Sequence, residues 1–167
     1  HDGAGWIDDE RRKLEPLRRP EPKDNGYDAY MEAGEAALRV SRSLPPERAR
    51  TVEHFLRDKT DLDDVRDLLP AYASVFAKLH EAADKTCVSR SRPGADVESG
   101  NYARLRGLSR LLAAQVRAQH LEGDDAVALQ SARDGLAMAA NVPRYGSALD
   151  LLAGRNCGHL VQRESLA

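Results

Sequence analysis

Apolar residues return every three or four positions along most of this chain, and where that rhythm stops, proline, glycine or a run of charge takes over. From Gly26 to Arg42, the positions Tyr27, Tyr30, Met31, Gly34, Ala37 and Leu38 form one stripe, the pattern of a helix with a single buried face. Asp24 or Asn25 suits its N-cap, and Asp28 and Glu32 suit the positive end of its dipole. The two tyrosines are expected to pack, leaving only their hydroxyls wet, and Gly34 is expected to let another backbone approach. Pro45-Pro46 ends this helix and starts a second, over about residues 46–59, with Ala49, Val52, Phe55 and Leu56 inside.

Thr60 or Asp61 caps a third segment, in which Leu62, Val65, Leu69, Tyr72, Phe76, Leu79 and Ala83 keep the spacing over three heptads. Pro70 lies off the stripe, so the pattern predicts one kinked helix or two short ones meeting there. The stretch "TCVSRSRPGADVESG" from Thr86 to Gly100 breaks the period and divides the chain into halves. A fourth helix follows over about residues 101–121, with Leu105, Leu108, Leu111 and Leu112 inward. Asp124 caps a fifth, whose expected inner stripe is Leu129, Ala132, Leu136 and Ala139. The last helical region starts near Tyr145, is expected to break around "AGRNCG", and resumes through Leu160 and Val161.

The reading is therefore all-α: an antiparallel helical bundle of five to seven helices. Composition agrees. Ala and Leu dominate the apolar residues, Ile7 is the one isoleucine, and aromatics make up 5%, which leaves little of what strands use. Residues 1–25 read as an extended tether, because Pro16, Pro20 and Pro22 among charges forbid a regular helix. Residues 26–167 read as a single helical domain. The formal net charge of −2 supplies no overall cationic field to recruit nucleic acid. No apolar run approaches the roughly 20 residues that span a bilayer.

Candidate chemistry is sparse. The five histidines, His1, His54, His80, His120 and His159, include no pair at the four-residue spacing of a helical zinc site. Cys157 and His159 form the one close pair of soft ligands, short of the four that zinc needs. Asp58, Asp61, Asp63, Asp64 and Asp67 suggest calcium, but the central glycine and closing glutamate of a calcium loop are missing, and a helix dipole accounts for them. No phosphate loop or nucleophile motif stands in the chain, so neither a cofactor nor an enzymatic activity is expected. Arg106, Arg110 and Arg117 share one helical face, which is either a solvated surface or a place for an anionic partner. Cys87 and Cys157, both placed at expected helix ends, are either two thiols or one disulfide. A bridge enclosing about 70 residues contributes about 4 kcal/mol on the chain-entropy estimate.

Two resemblances carry further expectations. The passage "LLAAQVRAQHLEGDDAVALQSARDGLAMAANVP" resembles one tetratricopeptide hairpin, with its Gly-Asp turn, its alanines at a tight crossing and its proline after the second helix. A second copy at a period near 34 residues is not visible. Over about residues 16–163 the chain resembles a group of uncharacterised bacterial membrane-anchored extracytoplasmic α-helical proteins. The proline-spaced lead, "DNGYDAYMEAGEAAL", Cys87 after a helix, "LRGLSRLLAAQVRAQHLEGD" and the break before "CGHLVQRE" carry that resemblance. It implies a helical domain on the periplasmic side of an inner membrane, with "RRPEPKD" as a spacer and a removed N-terminal anchor as its one link to the membrane. It also implies that the chain is the front part of a longer domain, and it favours the Cys87–Cys157 disulfide, since thiols oxidise outside the cytoplasm. The resulting expectation is a non-enzymatic interaction or scaffolding module with a protein or peptide partner. The alternative is the N-terminal part of a ligand sensor or hydrolase whose active region lies outside this chain.

Overall fold

The computed structural model describes residues 24–88, 99–145 and 148–165, and every regular element among them is helical. The tether expected over residues 1–25, apart from Asp24 and Asn25, and most of the loop expected over residues 86–100 lie outside the described residues. Helix α1 spans Gly26–Ser43. A 3-10 turn at Arg48–Arg50 runs into α2, Thr51–Phe55, and α3 spans Leu62–Arg66. A second 3-10 turn at Leu69–Tyr72 leads into α4, Ala73–Ala83. The second half consists of α5 (Ser99–Leu121), α6 (Asp125–Asn141), a 3-10 turn at Val142–Tyr145 and α7 (Ala148–Ser165). The architecture is a helical bundle, with α1 antiparallel to α4, α5 to α6 and α6 to α7.

Asn25 sets the first helix in place. Its side-chain oxygen accepts from the Tyr27 amide at 3.2 Å and from the Val88 amide at 2.9 Å, while its amide nitrogen donates to the Asp28 carboxylate and the Val88 carbonyl, both at 2.9 Å. One side chain thus caps α1 and ties residue 88 to it. Beside it the Gly26 amide donates to the Thr86 carbonyl at 2.8 Å. A Cβ on Gly26 would stand 3.1 Å from the Lys85 carbonyl oxygen, so glycine is what lets the end of α4 come this close.

The predicted stripe of α1 is the buried one: Tyr27, Tyr30, Gly34 and Ala37 face the core together with Ala33 and Ala36. The tyrosines depart from expectation in one respect. Tyr30 is fully buried, hydroxyl included, and burial raises its pKa above the usual phenol range against a smaller opposite effect of the Asn141 side chain. The predicted second helix is shorter than expected, because the chain leaves α-geometry at Leu56 and turns at Asp58, a non-glycine residue with φ of 55°. The third segment is two helices meeting at a 3-10 turn that contains Pro70. Even so, the heptad positions Val65, Leu69, Tyr72 and Leu79 stay buried across that joint.

Two predictions for the second half are corrected. Helix α7 runs unbroken through "AGRNCG", because its glycines lie against α6 rather than interrupting the helix. A Cβ on Gly154 would meet the Ala139 carbonyl oxygen at 2.6 Å and the Pro143 ring at 2.5 Å. In α6 the inner face consists of Ala128, Ser131, Ala132, Asp134, Gly135 and Met138, whereas Leu129 and Leu136 are exposed. Small residues let α7 pack closely: a Cβ on Gly135 would stand 2.6 Å from a Val161 methyl. The α5–α6 turn uses Gly123 at φ 79° and an Asp124 cap that accepts from the Val127 amide.

The core has two parts. The larger joins α1, α4, α5, α6 and α7 around residues such as Tyr27, Tyr30, Leu79, Leu105, Leu108, Leu112 and Val161. The smaller sets Phe55, Leu56, Val65 and Leu69 on the alanine face of α5 formed by Ala113, Ala114 and Ala118. The crossing of α1 over α5 is equally close, since a Cβ on Gly34 would stand 2.7 Å from that of Arg104. This realises the close approach expected at that glycine, and it positions the groove described next.

Candidate functional site

Where α1 and α5 diverge from their crossing at Gly34, they leave a groove whose third wall is the 3-10 turn and helix α2. Its cavity is about 190 Å³. Ala37, Leu38, Val52, Tyr72 and Leu111 make an apolar floor, with Gly107 of α5 opening it: among the described residues a Cβ there would meet nothing within 4 Å. Ser41, Glu53, Arg104 and Arg110 form polar edges. Burial raises the Tyr72 pKa, and a bond from the Ser41 side chain partly offsets the rise. Arg110 reaches Glu53 at 3.3 Å, and Glu53 also pairs with Arg57 at 2.6 Å. Arg104 pairs with Glu35 of α1 and donates to Asn101 at 2.7 Å.

The three arginines predicted to share a face are used in three ways. Arg106 is exposed. Arg110 edges the groove. Arg117 is internal to the fold: its guanidinium lies 4.7 Å from the Phe55 ring, donates to the Phe55 carbonyl at 3.0 Å, pairs with Asp58 and sits 3.9 Å from the buried Glu164. The predicted anionic-partner face of Arg106, Arg110 and Arg117 is therefore not a single open surface, because Arg117 is satisfied by the chain's own acids and carbonyls.

The other expectation concerns Cys87 and Cys157. Cys87 and Cys157 are both buried thiols, not joined to each other. Cys157 lies within the continuous helix α7 rather than at a helix end, and its Sγ donates to the Gly135 carbonyl at 3.3 Å. Burial pushes this thiol up to about 11, against a smaller opposite effect of the Ser109 side chain, so it is a poor nucleophile at neutral pH. Without reductant, the denatured protein is expected to show both cysteines alkylated by mass spectrometry, while the native protein reacts slowly. Detection of a species with no alkylatable thiol would restore the bridge.

Among the described residues, no three or more His, Cys, Asp or Glu side chains converge as a metal site, and no helix is long and apolar enough to cross a membrane. His120, Asp125 and Ser165 line one surface hollow, a combination the sequence reading missed because Ser165 is far from the other two in the chain. They do not form a nucleophile and base: the Ser165 hydroxyl donates to the Val161 carbonyl at 2.8 Å, and His120 pairs with Asp125 at 2.8 Å in solvent.

A second missed contact joins α4 to α6. His80 Nδ1 lies 3.1 Å from an oxygen of the buried Asp134, which also accepts from Gln130 at 3.0 Å. The hydrogen bond and charge of Asp134 raise the His80 pKa above the usual 6.5, assisted by Asp84 and opposed by Arg133. A histidine whose folded pKa is raised contributes stability that is fully present below about pH 6.5 and is lost as pH rises through the folded value. Urea titrations across pH 5.5 to 8.5 are therefore expected to show the native protein losing stability relative to His80→Gln as pH rises. Parallel profiles would refute the coupling.

Comparison of the chain with protein-family models, curated proteins and solved structures finds no match.

Proposed function

We propose that this chain is a non-enzymatic helical interaction module whose docking face is the groove between α1, α2 and α5. The observation that carries this reading is the open space over Gly107, in the middle of a long helix and above an apolar floor. Glycine in a helix interior costs about 1 kcal/mol relative to good helix formers, and here no neighbour among the described residues requires it. The cavity has room for about one large apolar side chain, the unit by which helical grooves take peptides. Presentation outside the cytoplasm belongs to the same proposal and draws on the resemblance to membrane-anchored bacterial domains, not on the cysteines. The reading as part of a sensor or hydrolase gains nothing from the His120 hollow, whose serine is committed to Val161.

Gly107→Leu tests the proposal without threatening the fold. The added Cβ meets no described atom within 4 Å, and the variant is expected to raise the melting temperature by about 2–4 °C, the yield of about 1 kcal/mol of helix propensity. It also fills the groove. Peptides selected from a displayed library on the native protein are expected to lose binding to this variant. Selection of no peptide at all, or of peptides that bind Gly107→Leu equally well, would count against the docking face.

A further inference from the structure

Exposed arginines adjoin, along the chain, several of the residues that line the groove. Arg42 follows Ser41, Arg48 and Arg50 flank Ala49, and Arg106 precedes Gly107, so each is next in sequence to a residue lining the cavity. All four are exposed, and among the described residues none has an acidic partner. The arginines that line the cavity itself, Arg104 and Arg110, are matched by Glu35 and Glu53. Glu47 is the one carboxylate in the stretch from Arg39 to Arg50, beside four arginines. A protein of formal charge −2 thus sets exposed arginines in the segments that build its apolar hollow.

Resting on the reading of this groove as a docking face, we propose that its occupant is an acidic peptide segment that seats one aliphatic or aromatic side chain over Gly107 and sets carboxylates against Arg42, Arg48, Arg50 and Arg106. Charge complementarity at such a rim speeds encounter and fixes register, while the central side chain supplies the affinity. Arginine suits the task, since its planar fork matches a carboxylate. A membrane surface fits less well. Docking on anionic lipid uses cationic groups beside protruding apolar side chains, and here the exposed leucines, Leu121, Leu129, Leu136, Leu151 and Leu152, belong to α5's far end, α6 and α7. Single-stranded nucleic acid fits less well again, because it stacks on exposed aromatic rings and the groove's one aromatic, Tyr72, is 4% exposed.

Fluorescence anisotropy with a labelled peptide of one leucine flanked on both sides by glutamates decides the matter, set against the same peptide with glutamines and against phosphatidylserine vesicles. The glutamate peptide is expected to bind at least about tenfold more tightly than the glutamine peptide, a difference of about 1.4 kcal/mol. That advantage shrinks as salt shortens the screening length from about 10 Å towards 3 Å. Charge reversal at Arg48 and Arg106 (Arg48→Glu with Arg106→Glu) is expected to remove the advantage and leave the melting temperature within about 2 °C, as for exposed sites away from other contacts. Gly107→Leu is expected to abolish binding of either peptide. Equal binding of the two peptides, binding of vesicles but neither peptide, or an unaffected Gly107→Leu variant would each overturn the proposal. If neither designed peptide binds but neutral peptides from the library still compete for the groove, the acidic occupant is wrong and the docking face stands. If the library also fails, both are wrong.

Discussion

Gly154→Ala is expected to lower the melting temperature by up to about 8 °C, although alanine is the better helix former. Helix propensity favours the alanine by about 1 kcal/mol, which taken alone would raise the melting point. Packing opposes it, because the new Cβ would stand 2.6 Å from the Ala139 carbonyl oxygen and 2.5 Å from the Pro143 ring. Neither a backbone oxygen nor a proline ring can rotate away, so α7 must move off α6. Overpacking of this kind costs about 1–3 kcal/mol, occasionally more, and in a domain of this size each kcal/mol shifts the midpoint by about 2–4 °C. Calorimetry on the two proteins reads the sign directly. A rise in the midpoint would mean that the α6–α7 contact is looser than described.

A second large effect is expected at Arg117. Its guanidinium bridges three things at once: the Phe55 carbonyl at the end of α2, the turn residue Asp58, and Glu164, which is 3% exposed near the end of α7. Arg163 also binds Glu164, at 2.7 Å, and donates to the Leu56 carbonyl at 3.2 Å. Arg117→Ala removes the cation over the Phe55 ring and leaves a buried carboxylate with one partner instead of two. The expected loss is about 2–3 kcal/mol by urea denaturation, below the 3–5 kcal/mol of a fully broken buried pair because Arg163 remains. Adding Glu164→Gln is expected to recover part of the loss, since the uncompensated charge is then gone. A loss under about 0.5 kcal/mol would place Arg117 among ordinary surface pairs.

The helices were legible where large apolar residues marked out the stripe. The stripes of Tyr27, Tyr30, Gly34 and Ala37, of Val65, Leu69, Tyr72 and Leu79, and of Leu105, Leu108, Leu111 and Leu112 all point inward as read. Reading failed where small residues carry the packing. In α6 the leucines drew attention, yet Ala128, Ala132 and Gly135 are the inner face, because closeness to Val161 needs little side chain rather than much. For the same reason Gly154 and Gly158 read as a break in α7 and prove to be contacts with α6. The candidate site was less legible still. Arg106 and Arg110 were singled out as cations on one face, but only the structure separates Arg117, which the fold consumes, from the arginines around the groove. Gly107 carried a signal, a glycine in mid-helix, with nothing in the sequence to say that the space above it is empty.

The Asn25 clamp has a mechanical consequence. The chain enters the described structure at Asp24 and within two residues is bonded to Thr86 and Val88 at the far end of the first half. Tension arriving along the lead does not load α1 alone. It is shared at once with the stretch through which the first half hands over to the second, and the first joint to carry it is a cluster of hydrogen bonds around one buried asparagine. A pull from that side therefore meets a latch before it meets the bundle.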